Sequence, residues 1–125
     1  MSKKILIRSG VIEMSAELND SQSAEALFYS LPLSGRANIW GDEIYFQVPV
    51  TRELDSTAAD LVHAGDLGYW PPGRAFCIFF GPTPISRNDE IRPASAVNVI
   101  GKVIGDARAF KLVRDGDLVE LDVFH

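Results

Sequence analysis

The 125-residue chain is poor in most of the groups that announce a chemistry. It has one cysteine, Cys77, so no disulfide can form within it. That cysteine lies inside an apolar run and reads as a small core residue rather than a catalytic thiol. Of the two histidines, His63 and His125, neither has a partner at metal-ligand spacing, so no metal is expected, and no other cofactor. Basic residues are outnumbered, 12 Lys and Arg against 17 Asp and Glu, and the net charge of −5 argues against nucleic acid as a partner. No apolar run reaches membrane-spanning length, so no membrane partner is expected. The N-terminus carries Lys3 and Lys4 but no long apolar segment and no small-residue cleavage site, so no signal peptide is expected and the cytoplasm is the expected location. There is no G-x-S-x-G elbow, no visible Ser/His/Asp arrangement, and no glycine-rich loop with the lysine and helix that phosphate binding needs.

Composition is that of a globular domain, 46% hydrophobic and 23% charged, and the length suits one domain over residues 1–125. The stretch that dominates is GDLGYWPPGRAFCIFFGPTP, residues 65–84. Pro71, Pro72 and Gly73 sit between two apolar runs and read as a rigid turn between strands. A cis bond is possible at Trp70–Pro71. Ala75 to Phe80 has no polar side chain except the thiol of Cys77. A strand so apolar on both faces is either deeply buried or faces a cavity on one side. Gly81-Pro82-Thr83-Pro84 then ends it, since proline cannot donate to a ladder.

Elsewhere the periodicity is mostly that of strands. Lys3–Arg8 and Val11–Leu18 alternate about a Ser9-Gly10 hairpin turn. Ala24, Leu27, Phe28 and Leu31 have helical spacing, with Asp20 or Ser21 as the cap and Pro32 as the stop. Arg36–Trp40 and Glu43–Val48 flank Gly41-Asp42, a second hairpin. Ile44, Phe46 and Val48 share one face of the later strand, and Tyr45 and Gln47 share the other. Thr51–Ala64 is irregular, a short helical turn or a strand. Ile85–Ala96, containing SRNDEIRPAS, reads as an ordered polar loop. Val97–Ile104 is a strand with Gly101 as a bulge or bend. Asp106 caps a second short helix through Phe110, and Leu118–Phe124 is the last strand. About eight strands and two short helices point to a small barrel or sandwich.

This order of elements resembles the cyclophilin fold. The central run, with EIRPASAVNVIGKVIGD after it, is similar to a bacterial and archaeal family of small cyclophilin-like proteins of unknown function, over nearly the whole chain. The resemblance implies a mainly β fold: a closed eight-stranded antiparallel barrel capped by two short helices. Cyclophilins isomerise peptidyl-proline bonds with an arginine beside an apolar pocket. Their phenylalanine-histidine-arginine run should fall near Asn38, Ile39 and Trp40, and none of the three matches. Gln47 corresponds to the glutamine of that site, and the large loops of the cyclophilin groove are missing.

The expected function is therefore a small-molecule or peptide-binding module. Tyr45, Trp70, Phe76 and Phe80 offer flat surfaces, and Gln47, Arg74 and Arg92 the polar groups, so the candidate ligand-binding residues are Tyr45, Gln47, Trp70, Arg74, Phe80 and Arg92. Arg92, at the expected barrel mouth, suits a carboxylate held bidentately, which makes a small-molecule acid or a peptide the expected partner. Against this stands a structural alternative, in which the aromatics fill the barrel and Arg92 pairs with Glu90 or Asp89. Two other functions remain open: a divergent peptidyl-prolyl isomerase, in which Arg36, Arg74 or Arg92 replaces the missing arginine, and a structural protein that works as a homo-oligomer.

Overall fold

The computed structural model describes residues 3–125. The strands are β1 (Lys3–Ser9), β2 (Ile12–Leu18), β3 (Leu33–Arg36), β4 (Asn38–Ile39), β5 (Glu43–Gln47), β6 (Ala58–Ala59), β7 (Asp66–Trp70), β8 (Ala75–Phe79), β9 (Val97–Ile104) and β10 (Leu118–Val123). Among the described residues the α-helix, α1, is Gln22–Phe28, and Pro71–Gly73 and Ala107–Leu112 are 3₁₀ turns. Ser21 caps α1, its Oγ accepting from the Ala24 N–H at 3.2 Å. Ala24 and Leu27 are buried in the main core, so the helix plugs one end of the sheet. Asp106 caps the second short helical segment by accepting from the Arg108 N–H. Among the described residues, no helix is long and apolar enough to cross a membrane.

All strand pairs are antiparallel, in the order β3-β10-β1-β2-β9-β7-β8-β5-β4, with β6 added on β9. The expectation of a closed eight-stranded barrel is corrected on both counts: among the described residues there are ten strands, and the ladder is an open path. The reason lies at Ala37. Its N–H donates to the Asp117 carbonyl and its carbonyl accepts from the Gly116 N–H, both at 2.8 Å. Those groups therefore serve the turn before β10, and the single expected strand across Arg36–Trp40 breaks into β3 and β4. The ends of the path approach each other through side chains. Phe46 of β5 lies so close over Gly35 of β3 that a Cβ at Gly35 would run into its ring. A larger residue there would push the two ends apart.

The sheet coils around one large core containing Ile5, Ile7, Leu18, Phe46, Phe76, Ile78, Phe110 and Leu121. A smaller second cluster lies on the outer face, with Val62, Ala75, Cys77, Phe79, Ile91 and Val97. Strand β8 belongs to both. Phe76 and Ile78 point inward, while Ala75, Cys77 and Phe79 point outward under the loop of residues 81–96. This accounts for its apolar character on both faces. The loop is ordered by its own hydrogen bonds. Ser86 Oγ accepts from the N–H of Thr83 at 2.9 Å and of Arg92 at 3.0 Å, and the Thr83 hydroxyl donates to the Arg92 carbonyl.

The bulge or bend expected at Gly101 is a bulge. Leu67 opposes Gly101 and Gly68 opposes Val99, so Ile100 is the extra residue of β9. The irregular segment after Thr51 provides β6 and a bridge from Val62 to Ile91. The cis peptide bond is at Leu31–Pro32, and Trp70–Pro71 is not cis.

Candidate functional site

Alternation along β5 decides what the site contains. Ile44 and Phe46 enter the main core, so Glu43, Tyr45 and Gln47 share the outer face. Register then places Glu43 opposite Phe79, Tyr45 opposite Cys77 and Gln47 opposite Ala75. Strand β7 adds Trp70 beside Ala75, and β9 adds Val97. The hairpin turn brings Trp40 back alongside, its N–H donating to the Glu43 carbonyl at 2.9 Å. The end of the covering loop supplies Pro93 and Ala94. Together Trp40, Glu43, Tyr45, Trp70, Pro93, Ala94 and Val97 line a cavity of about 250 Å³.

Trp70 is fixed from two sides. Its Nε1–H donates to Ser95 Oγ at 2.7 Å. Its six-membered ring lies over Gly73, where a Cβ would stand 2.7 Å from Cε3 and Cζ3. Gly73 is thus required by close approach. Both tryptophans of the chain, Trp40 and Trp70, line this one cavity.

Glu43 is the unusual member. It is 6% exposed in a largely apolar lining. Burial lifts its carboxyl to about 7, and the neighbouring Cys77 thiol opposes this only in part. Burial also pushes the Cys77 thiol well up, and the adjacent Glu43 charge adds to the effect. Cys77 is therefore no ready nucleophile, since the thiolate is the reactive form. A carboxyl titrating near neutrality in an apolar cleft is a functional-site signal, because an unpaired buried charge destabilises the fold.

The structure brings Tyr45 and Trp70 together among the expected residues and separates the rest. Phe80 is buried in the main core, its ring centroid 6.3 Å from that of Phe110. Alternation past the end of β8 turns it inward. Gln47 is exposed, further along the outer face of β5 than Tyr45. Arg74 is exposed, in a left-handed turn conformation at φ 46°. Arg92 Nε donates to Glu90 Oε2 at 2.8 Å, a bond that holds the Glu90 carboxyl below its ordinary value. None of these four, nor Arg36, lines the cavity. Trp40, Glu43, Pro93, Ala94 and Val97 complete the lining without having been anticipated. For Glu43 a signal existed, since the alternation that puts Tyr45 outward does the same for Glu43. The covering loop was the missing information.

A sharply coiled antiparallel sheet, plugged by a short helix and carrying an outward aromatic pocket, defines a β protein of the cyclophilin-like class. The chain belongs to the Cyclophilin-like family, whose profile matches residues 3–122. It is similar to a hypothetical protein from Archaeoglobus fulgidus with a known solution structure, at 41% identity and a TM-score of 0.82, over 98% of this chain and 95% of that one. No curated protein matches the chain significantly.

Proposed function

We propose that this protein is a binding module that takes a small organic group, free or carried on a peptide, into the cavity between β5, β7 and the loop of residues 81–96. The observation that carries this reading is the lining: three aromatic side chains, three small apolar ones and one buried carboxyl. Binding sites are mostly apolar with a few placed polar groups. At about 250 Å³ the cavity is smaller than the roughly 300–1,000 Å³ of drug-sized pockets, and it suits a fragment or a single side chain. Among the described residues the lining holds one carboxyl and no cationic side chain, the reverse of the polarity expected from Arg92. An isomerase reading needs an arginine at the pocket, and Arg36, Arg74 and Arg92 stand outside the lining, so binding is the better-supported function.

The test uses the tryptophans. A library of small fragments is screened by NMR, following the two indole N–H signals. Binders are expected to shift both signals, and Ala94→Trp, which fills the cavity from its exposed rim, is expected to abolish the shifts. A screen in which no fragment moves either indole signal refutes the proposal.

A further inference from the structure

Resting on that reading, we infer that the ligand group is an organic cation, an alkylammonium, received among Trp40, Tyr45 and Trp70 with its charge opposite the Glu43 carboxylate. Three features of the cavity lead to this class. The first is composition: all its aromatic side chains are electron-rich tryptophan or tyrosine, the ring types that best attract a cation. The second is the carboxyl. Glu43 is 6% exposed, and its neighbour on the facing strand is the Cys77 thiol, a weak donor. Among the described residues, no lysine or arginine lines the cavity to neutralise it. The third is rigidity. Trp70 is held by Ser95 and Gly73, so a guest need not order it on arrival.

These features discriminate between ligand classes. Above about pH 7 a carboxylate or phosphate would meet Glu43 as a like charge in a poorly solvated site. A neutral apolar guest would fill the cavity but leave the carboxyl without water or a partner. A compact cation satisfies the rings and the carboxyl together. An alkylated ammonium suits better than a bare one, because its methyl groups lose little hydration against the rings and Pro93.

Burial alone keeps the empty site protonated up to about pH 7. The titratable groups at the cavity are Glu43, Tyr45 on the same strand, and Cys77 facing from β8. Of these, Glu43 changes charge near neutrality. A permanent cation therefore binds in exchange for the Glu43 proton, and its affinity rises with pH until the carboxyl is ionised.

The test is a tryptophan-fluorescence titration of the full chain at several pH values with two probes: choline, and the neutral analogue in which carbon replaces its nitrogen. Choline is expected to bind at least about tenfold more tightly than the analogue at pH 8. Its affinity is expected to fall by up to about tenfold per pH unit below 7. Glu43→Gln should abolish the pH dependence and reduce the preference to what the three rings alone supply. A peptide carrying one trimethyllysine separates the sources: tighter binding than choline places the cation on a polypeptide, weaker binding places it on a free small molecule, and both support the class. Equal binding of choline and its analogue overturns the cation and leaves the pocket standing. So does silence from choline where neutral fragments shift the indole signals. If neither probe nor any fragment reports at Trp40 and Trp70, both readings fall.

Discussion

Two carboxylates in this molecule lie in opposite circumstances. Asp55 sits where the segment after β5 crosses α1 and β9. Its Oδ1 accepts from the N–H of Thr57 at 2.8 Å and from the Thr57 hydroxyl, and its Oδ2 accepts from the Ser23 hydroxyl at 3.1 Å. Burial pushes this carboxyl up, but the bonds from Thr57 and Ser23 and the charge of Arg52 outweigh it and leave it below its ordinary value. The Asp55 N–H donates to Asn98, and the Asn98 amide donates to Ser23 and to the Glu53 carbonyl. The Asp55 carboxyl and the Asn98 amide thus have their partners within the protein. Glu43 has a thiol and three aromatic side chains around it, and its carboxyl is pushed the other way. A satisfied polar group in a fold is an anchor, whereas an unsatisfied one beside a cavity is an invitation to a ligand.

Substitutions can break this contrast. The largest effect is expected from Asn98→Ala, which leaves the Asp55 N–H and the Glu53 carbonyl without their fully buried partner and should cost about 2–4 kcal/mol in urea unfolding. Next comes pH. The folded Glu43 carboxyl titrates at about 7 and its ordinary value is 4.5, so the native state holds more protons between those values. Stability should therefore decline as pH rises across that window, by up to about 3 kcal/mol, and level off above it. Glu43→Gln should flatten this decline and melt higher than the parent at pH 8. A parent curve that is flat from pH 4.5 to pH 7 would show that Glu43 is solvated like any surface carboxylate.

Asp55 has the opposite sign. Its depressed value contributes stability that is present above the ordinary value of 3.8 and lost as pH falls through the folded one. Asp55→Asn should therefore melt lower than the parent at neutral pH and lose that acid-side dependence. Smaller still, Gly73→Ala should displace Trp70 and weaken fragment binding several-fold, with a drop in Tm under that of Asn98→Ala. Arg92→Ala should change least. Its partner Glu90 is in a surface loop and neither lines the cavity, so fragment affinity should hold.

Local order was legible in the residues. The hairpin turns, the Ser21-capped helix, the Gly101 bulge and the double-sided burial of Ala75–Phe80 follow from period-two and period-3.6 patterns that neighbouring side chains impose on their own backbone. The family was legible too, through the long run from Gly65 to Pro84 and the EIRPAS loop. The open, ten-stranded ladder was not, because whether Ala37 bonds to β5 or to the turn at Gly116 depends on a partner almost 80 residues away in the chain. The site was half legible for the same reason. Alternation places Tyr45 and Glu43 outward on β5, but only packing decides whether outward means water or a cavity. The loop of residues 81–96, polar in sequence and tied by Ser86 and Thr83, closes over that face and completes the cavity with Pro93 and Ala94. Sequence thus determined which residues share a face, since that is a property of adjacent backbone. Tertiary structure alone determined which face was desolvated, and with it which carboxyl carries a neutral-range titration, because desolvation comes from atoms remote in the chain.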